Sequence, residues 1–334
     1  MFKKLLNISE DKLKALPVLV LMPHSRCNCR CVMCDIWKAN SEKKEISTDD
    51  LAKHISAFQK LGVKQVALSG GEALMHSNLW EFCDLLKSIG VKISLLSTGL
   101  TLKTHAKEII HHCDDVIVSL DGSREVHNSI RNIPSAFEKL TEGVNEIKKL
   151  KSSFQITGRC VLQKQNFRDF FNIIHSAKEI GLDQISFLAA DVSSSAFNHV
   201  NELPQEKKEE IALNQQEADE LELLLKKSFG GLKKYHQDKF IAENHEKLLS
   251  LAQHYRASAG SGRFPKKKCN APWVSAVIEP NGDVLPCFFH RPYGNIHNES
   301  FLDIINSKQA IEFRKQLDIA ADSTCQKCVC SLYY

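Results

Sequence analysis

Cysteine is the residue type with the clearest chemical meaning in this chain. Of its 12 cysteines, four lie between positions 27 and 34 and five between positions 269 and 330. Thiolates grouped in this way are typical ligands of zinc or of iron–sulfur clusters. The cysteine density is far below that of a disulfide scaffold, so metal sites are expected rather than disulfide bonds. Cys83, Cys113 and Cys160 fall singly inside apolar patterns and are expected to be buried.

The first group contains Cys27, Cys31 and Cys34, directly after a predicted strand. Four thiolates complete a zinc tetrahedron or an iron–sulfur cube, so three thiolates leave one coordination position open. An open position distinguishes a reactive metal site from a structural one. Cys29 offers a fourth thiol, but its ligation of the same cube together with Cys34 would strain so short a loop.

The second group predicts another site with four thiolates. Cys269 and Cys287 lie on either side of a predicted hairpin, and Cys325 and Cys328 form a C-x2-C pair. A hairpin and a C-x2-C pair are a common way to gather four thiolates, with zinc as the alternative to iron. Cys330 is a possible substitute for Cys328.

Short runs rich in β-branched residues alternate with amphipathic helical patterns between residues 17 and 192. Helical patterns follow each of the first five runs, which predicts a parallel sheet with right-handed crossovers. Six units are too few to close an eight-stranded barrel, so an open partial barrel or a doubly wound sheet is expected. In both folds the chemistry lies at the carboxyl ends of the strands. The predicted strands are 17–22, 64–68, 92–96, 115–120, 155–162 and 184–189.

The chain then divides into parts of different composition. An extension (1–16) precedes the α/β part (17–192), and a Glu/Lys-rich helical segment with a flexible linker (193–268) follows it. We expect solvated surface helices in this segment rather than a lid. The last part, 269–334, contains the predicted hairpin strands 273–278 and 284–289 around an Asn-Gly turn, and a helix over 301–317.

The overall composition is that of an ordinary globular protein. The 334 residues are 43% hydrophobic and 25% charged, with 44 Lys and Arg against 40 Asp and Glu. A net charge of +4 is too small to indicate nucleic acid or a membrane surface as a partner. No apolar run approaches the roughly 20 residues that span a bilayer, and no secretory signal is evident. A cytoplasmic location is therefore expected.

The run CNCRCVMC resembles the C-x3-C-x2-C motif of the radical S-adenosylmethionine (radical SAM) superfamily. The resemblance implies a partial (β/α)6 barrel in which Cys27, Cys31 and Cys34 hold a [4Fe-4S] cluster. The open iron of this cluster binds S-adenosylmethionine, and Cys29 remains free. Met33 occupies a position that is usually aromatic and packs on the adenine, where a polarizable thioether is also suitable.

Further motifs of the family follow the later strands. Ser69 to Glu72 resembles the GGE motif, which implies that the backbone of Gly70 and Gly71 and the carboxylate of Glu72 receive the ammonium of the cofactor. Ser97 follows the third strand, where relatives carry ribose contacts.

The stretch from Ser119 to Arg131 resembles the SxDGxxxxHxxxR motif of the peptide-modifying branch of the superfamily. The resemblance implies that Ser119 and Asp121 face the cofactor, whereas His127 and Arg131 are structural. On the last two strands, Arg159 is expected to pair with the cofactor carboxylate and Leu188 to border the adenine.

The C-terminal part resembles the auxiliary-cluster region called SPASM, or its shorter Twitch form. Both the spacing of Cys269, Gly282 and Cys287 and the GNI run at 294–296 carry this resemblance. A full SPASM region has seven cysteines and two clusters, but only five cysteines are present here. One auxiliary [4Fe-4S] cluster is therefore expected on Cys269, Cys287, Cys325 and Cys328.

These features predict an enzyme that cleaves S-adenosylmethionine to a 5′-deoxyadenosyl radical, which abstracts a substrate hydrogen. We expect oxidation of a small molecule, with peptide maturation as the alternative. Only about 16 residues precede the first strand, which argues against a separate leader-peptide domain. The expected electron donor is a flavodoxin or ferredoxin. A non-enzymatic zinc or iron–sulfur protein is the remaining alternative, and no catalytic acid or base is assigned, although His290 and Arg291 lie near the hairpin.

Overall fold

A parallel sheet built from alternating strands and helices forms the first part of the chain. The computed structural model describes residues 12–198 and 203–334, so most of the extension predicted for 1–16 lies outside the described residues. Each of the six predicted strands is confirmed, within one residue at either end. The strands are β1 (Val18–Leu21), β2 (Gln65–Leu68), β3 (Lys92–Ser97), β4 (Asp115–Ser119), β5 (Gln155–Leu162) and β6 (Gln184–Ala189).

Helices connect these strands and cover one face of the sheet. Neighbouring strands in sequence are neighbours in the sheet and run parallel, as expected for repeated right-handed β-α-β units. The open six-unit barrel predicted from the sequence is therefore confirmed. The connecting helices are α1 (Thr48–Ala52), α2 (Ile55–Lys60), α3 (Leu79–Lys87), α4 (Ala106–His112), α5 (Arg124–Arg131), α6 (Ala136–Leu150) and α7 (Phe170–Glu179).

Strand β5 shows how the two faces of the sheet differ. Ile156, Cys160 and Leu162 are fully buried on the face that packs against the helices. The alternate residues, among them Arg159 and Val161, are only partly buried. Because side chains alternate across a strand, the second face of β5 is the less buried one and includes Arg159.

The C-terminal hairpin extends the same sheet. Strand β7 (Ser275–Ile278) pairs in parallel with β1, and β8 (Asp283–Leu285) and β9 (Gly294–Asn295) follow in antiparallel register. The result is a single nine-stranded sheet in the order β6-β5-β4-β3-β2-β1-β7-β8-β9. The auxiliary region is thus joined to the barrel by a ladder of backbone hydrogen bonds.

The hairpin strands are shorter than predicted because of two prolines. The turn around Gly282, at φ +88°, agrees with the prediction. Pro272 begins a helical turn, α12 (Ala271–Val274), so the strand predicted from 273 starts at Ser275. Pro286 has no N–H to donate, and the strand predicted to reach 289 ends just before it.

The helix predicted over 301–317 is two helices, α13 (Phe301–Ile305) and α14 (Lys308–Gln316). The break lies at Asn306, whose side chain accepts a hydrogen bond from the N–H of Leu13 (2.7 Å) and donates one to its carbonyl (3.1 Å). Ser307 then caps the second helix by accepting from the N–H of Ala310. A contact with a residue 293 positions away interrupts a helix that local pattern alone would continue.

The Glu/Lys-rich segment forms helices that pack against the open edge of the sheet. Within the described residues, none of the helices is long and apolar enough to span a bilayer. Leu221, Leu225 and Leu248 are fully buried in the main core, while their charged neighbours face outward. The helices are α8 (Gln205–Ile211), α9 (Gln215–Gly231), α10 (Lys233–Gln237) and α11 (His245–Ser258), and a last short helix, α15 (Ser323–Lys327), precedes the C-terminus.

Tyr255 joins this helical segment to the carboxyl ends of the last two barrel strands. Its hydroxyl donates to the carbonyl of Leu162 and accepts from the N–H of Ala190 (2.8 Å). The side chain is fully buried, so neither partner can turn to water. We expect Tyr255→Phe to lower the free energy of unfolding by about 1–3 kcal/mol, measured by denaturant titration. Tyr333→Phe, at a residue that is 71% exposed, is the matched control and should leave the free energy of unfolding unchanged. An unchanged midpoint for Tyr255→Phe would contradict this role.

Candidate active site and metal centres

The loop that carries the first four cysteines leaves the carboxyl end of β1. The Asn40 side chain closes one end of it, since its amide oxygen accepts from the N–H of Cys27 and its amide nitrogen donates to the Cys27 carbonyl (both 2.9 Å). The middle of the loop is held by a hydrogen bond from the Arg30 N–H to the carbonyl of Arg131, the last residue of α5 (3.2 Å). The loop is therefore fixed against two separate elements.

The three predicted ligand thiols lie within electrostatic reach of one another, and both Cys29 and Cys31 are buried. Burial raises the pKa of both Cys27 and Cys34 to about 12, and the charge of the neighbouring Cys31 adds to the rise. A hydrogen bond from the Cys29 thiol, helped by the Arg131 guanidinium, lowers the pKa of Cys31 to about 6. Cys29 is fully buried. A set of three adjacent thiols of this kind suits an iron–sulfur cluster with one open iron.

The glycine loop after β2 packs directly against the cysteine loop. The N–H of Glu72 donates to the carbonyl of Arg26 (3.0 Å). A Cβ at Gly71 would lie 2.1 Å from that same carbonyl oxygen and 2.9 Å from the Cβ of Cys27. Gly70 has a φ of +104°, which favours glycine. The two glycines therefore let the backbone of this loop reach the proposed cluster site.

The carboxylate of Glu72 is fully buried and organises the end of β3. It accepts hydrogen bonds from the Thr98 N–H (2.7 Å), the Ser97 hydroxyl (3.0 Å) and the Leu74 N–H (3.2 Å). Burial raises its pKa. The Thr98 hydroxyl lies 2.6 Å from Glu72 Oε2 and 2.9 Å from Asn28 Oδ1, which links this network to the cysteine loop.

Two residues of this network were not predicted from the sequence. Thr98 directly follows the predicted contact Ser97, and Asn28 belongs to none of the motifs. Among the described residues, the Asn28 Nδ2 group is buried without a hydrogen-bond partner. An orphaned amide donor beside the cysteine loop suits a carboxylate or hydroxyl of a bound cofactor. The only available signal was the position of Asn28 between two ligand cysteines.

The SxDG motif after β4 is arranged differently from the expectation. Asp121 is fully buried; its carboxylate accepts from the Val161 N–H (3.0 Å) and pairs with Arg131, so it faces protein groups rather than an open pocket. His127 accepts from the N–H of Asp121 (3.1 Å), and burial lowers its pKa to about 3, so it is neutral and structural. Ser119, at the end of β4, remains partly exposed.

Arg159 lies opposite Ser119 in the register of β4 and β5. Its Nε donates to the Ser186 hydroxyl of β6 (2.6 Å). It also faces Glu243, whose pKa burial raises to about 7. Arg159 is therefore a partly buried cation on β5, and its hydrogen-bond partner is the Ser186 hydroxyl.

Met33 and Leu188 approach the same end of the sheet. Leu188 is partly buried on β6. Met33 packs against a small apolar group that comes mainly from the chain after β6 and from the helical segment. This group consists of Ala190, Val192, Leu203 and Ile211. Both side chains remain predicted neighbours of the adenine.

The second group of cysteines surrounds one cavity of about 170 Å³ beside β1 and β7. Val18 and Val20 of β1 and Phe288 and Phe289 of the hairpin region contribute apolar walls. None of the cysteines is in a disulfide. Five thiols on an apolar cavity of this size fit an iron–sulfur cluster and leave one thiol over. They are Cys269, Cys287, Cys325, Cys328 and Cys330.

Polar groups adjoin this cavity at Cys325. The Nε2 of His290 lies 3.5 Å from the Cys325 sulfur and 3.8 Å from the Asp322 carboxylate. His290 is thus within hydrogen-bonding distance of a proposed metal ligand. Arg291 is exposed.

The choice between Cys328 and Cys330 can be tested by variants. The Cys328 thiol donates to the Cys330 carbonyl (2.6 Å) and accepts from its N–H (3.3 Å). With Cys328 as the fourth ligand, we expect Cys328→Ala to lose about four irons per chain. Cys330→Ala should keep these irons, and anaerobic iron analysis measures both variants. The reverse pattern would show that Cys330 is the ligand.

Comparison with known protein families agrees with this arrangement. The model of the radical SAM superfamily matches residues 21–186, and that of the SPASM iron–sulfur cluster-binding domain matches residues 269–329. The chain is a radical SAM enzyme with a C-terminal SPASM domain. S-adenosylmethionine, a [4Fe-4S] cluster and auxiliary iron–sulfur binding are therefore its cofactor chemistry.

Curated relatives of this radical SAM enzyme catalyse diverse reactions. It is 30% identical to an AdoMet-dependent heme synthase of Methanosarcina barkeri over 159 residues, 46% of this chain and 45% of the relative. It is 22% identical to the subtilosin biosynthesis protein AlbA of Bacillus subtilis over 291 residues, 84% of this chain and 58% of the relative. The match spans about half the length of these relatives.

Solved structures show the same fold. SuiB of Streptococcus suis, bound to its precursor peptide SuiA, superimposes with a TM-score of 0.67 at 13% identity, covering 98% of this chain and 74% of SuiB. The enzyme anSMEcpe, bound to AdoMet and a peptide, superimposes with a TM-score of 0.64 at 20% identity, covering 93% of this chain and 85% of that enzyme.

Proposed function

We propose that this enzyme cleaves S-adenosylmethionine reductively, removes a hydrogen atom from its substrate, and passes an electron from the substrate radical to an auxiliary cluster. The net reaction is an oxidation of the substrate. One observation carries the proposal: both sets of thiols adjoin strand β1. The first loop begins at the end of β1, and Val18 and Val20 of β1 line the cavity of the second set.

The chain's own residues supply the binding and orientation. Cys27, Cys31 and Cys34 are the proposed ligands of the first cluster, and the backbone of Gly70 and Gly71 lies beside them as the proposed cradle for the cofactor ammonium. When bound, the reduced cluster supplies the electron that breaks the carbon–sulfur bond of the sulfonium. The further contacts proposed for the cofactor are Met33, Glu72, Ser97, Ser119, Arg159, Leu188 and Asn28.

Glu72 is proposed to act mainly through its neighbours. Its carboxylate already holds Ser97 and Thr98. A buried anion next to the glycine loop also favours a cation there by Coulomb attraction, without a direct contact. This arrangement supports an ammonium-binding role for the loop.

The second set of thiols is proposed as the electron acceptor. Loss of one hydrogen atom leaves a substrate radical, and loss of a further electron and a proton gives the oxidised product. The proposed ligands Cys269, Cys287, Cys325 and Cys328 surround the cavity that would hold the acceptor. The proposed external reductant for the first cluster is a flavodoxin or ferredoxin.

A small molecule is the first candidate substrate. The five cysteines of the auxiliary region line a single cavity, which supports a single acceptor, and one acceptor suffices for a two-electron oxidation.

A peptide is the second candidate substrate, and one comparison favours it. The relative whose match extends over 84% of the chain, AlbA, is a bacteriocin biosynthesis protein, whereas the heme synthase match covers 46% of the chain. SuiB and anSMEcpe, both solved with peptides, also cover nearly the whole chain. The relatives that match this chain over both cluster regions are thus a bacteriocin biosynthesis protein and two proteins solved with peptides.

Anaerobic reconstitution tests the proposal. We expect about eight irons per chain and formation of 5′-deoxyadenosine that requires both a reductant and the protein. Stable zinc without any cleavage would overturn it. Incubation with S-adenosylmethionine deuterated at the 5′ position, first with a metabolite extract and then with candidate peptides, separates the two substrates. Deuterium enters the substrate only if the hydrogen transfer is reversible. The primary readout is therefore a substrate whose mass falls by two hydrogens.

A further inference from the structure

Arg131 is a buried cation that contacts a proposed cluster ligand. Its side chain is 7% exposed, although arginine is almost never buried without a partner. One terminal nitrogen donates to the Cys31 sulfur (3.4 Å), and the other pairs with the carboxylate of Asp121. The guanidinium therefore bridges the cysteine loop and the SxDG motif.

Backbone hydrogen bonds also hold the cysteine loop against the end of α5, where Arg131 lies. The N–H groups of Arg30 and Val32 donate to the carbonyls of Arg131 and Ile130 at 3.2 and 3.1 Å. Helix α5 ends there, because Asn132 adopts a left-handed conformation with a φ of +51°. Movement of the cysteine loop relative to the guanidinium would break these bonds, so the donor is held on the sulfur.

A donor in this position has a definite electrostatic effect. One-electron reduction adds a negative charge to a cluster, and a nearby cation and a hydrogen bond to a ligand sulfur both stabilise that charge. Both raise the reduction potential. The burial of Arg131 and Asp121 makes the effect stronger, because water screens buried charges poorly. The anion of Asp121 opposes the cation of Arg131.

We propose that Arg131 is a positioning residue that raises the reduction potential of the S-adenosylmethionine-binding cluster through its hydrogen bond to Cys31, and that Asp121 limits this effect. The proposal rests on the assignment of Cys31 as a cluster ligand. It gives the SxDG…R motif a role in electron uptake by the cluster, in addition to its structural contacts.

The test is a redox titration followed by electron paramagnetic resonance, on the cluster whose signal changes when S-adenosylmethionine is added. We expect Arg131→Gln to lower the equilibrium constant for reduction about tenfold, a shift of about 59 mV to more negative potential for a one-electron couple. Arg131→Lys, which keeps the charge, should shift it less. Asp121→Asn should shift it in the opposite direction.

Arg124→Gln is the matched control, because Arg124 lies on the same helix but is exposed and pairs with Glu138. It should leave the potential unchanged. If Arg131→Gln does not retain iron, Asp121→Asn alone is the test: a shift to more positive potential supports the inference, and no shift or a negative shift contradicts it. Shifts of Arg131→Gln and Asp121→Asn in the same direction, or no shift in either, would overturn the inference. Retention of the cluster by Cys31→Ala would instead overturn the ligand assignment, and lack of cleavage by the wild type would overturn the proposed function.

Discussion

Replacing Gly71 by alanine should reduce the formation of 5′-deoxyadenosine by about 10²-fold or more, since misplacement of reacting groups by about 1 Å has an effect of this size. The new Cβ would lie 2.1 Å from the Arg26 carbonyl oxygen and 2.9 Å from the Cys27 Cβ, and real Cβ atoms do not approach so closely. The cysteine loop must therefore move. The measurement is the rate of cleavage together with the iron content of the reconstituted protein.

Gly230→Ala is the control for this variant. Gly230 lies in α9 and has no atom within 4 Å of an added Cβ, so alanine should slightly stabilise the helix and leave cleavage unchanged. Full activity of Gly71→Ala would show that the glycine loop does not hold the cysteine loop in place.

Alanine at Cys27, Cys31 or Cys34 should abolish cleavage, whereas alanine at Cys29 should leave most of it. The first three thiols form the proposed ligand set, and loss of one ligand leaves the cluster with only two. The Cys29 thiol instead donates to Cys31 from a fully buried position, so its removal deletes one hydrogen bond. Iron analysis and 5′-deoxyadenosine formation measure both effects.

This series has a built-in control, because Cys29 lies in the same loop and is buried like Cys31. Retention of the cluster in all three ligand variants would exclude the proposed site. Loss of the cluster in Cys29→Ala alone would instead make Cys29 the ligand and require a different loop conformation.

The strands were predictable because a strand in a parallel sheet is specified by its own short apolar run. The two prolines that shorten the hairpin strands are also local signals, present at 272 and 286. The break at Asn306 was not predictable, because its cause is the backbone of Leu13, nearly the whole chain away. Elements that depend on such contacts are defined only by the folded structure.

The candidate site shows the same division. The spacing of the cysteines identified both thiol groups, and the GGE run identified the glycine loop. The partners of the buried carboxylates were not predicted, because Asp121 pairs with Arg131 only when α5 folds back, and Glu72 binds Thr98 only when the ends of β2 and β3 meet. A sequence motif shows which charges are present, but the folded structure determines which groups bind them.

The parallel pairing of β7 with β1 has a consequence for electron transfer. Strand β1 is four residues long and spans about 13 Å. It leads into one set of thiols, forms a wall of the other, and is bonded on both edges inside the sheet. Because this strand is hydrogen-bonded on both edges, we expect the distance for electron tunnelling between the two proposed clusters to stay constant during turnover.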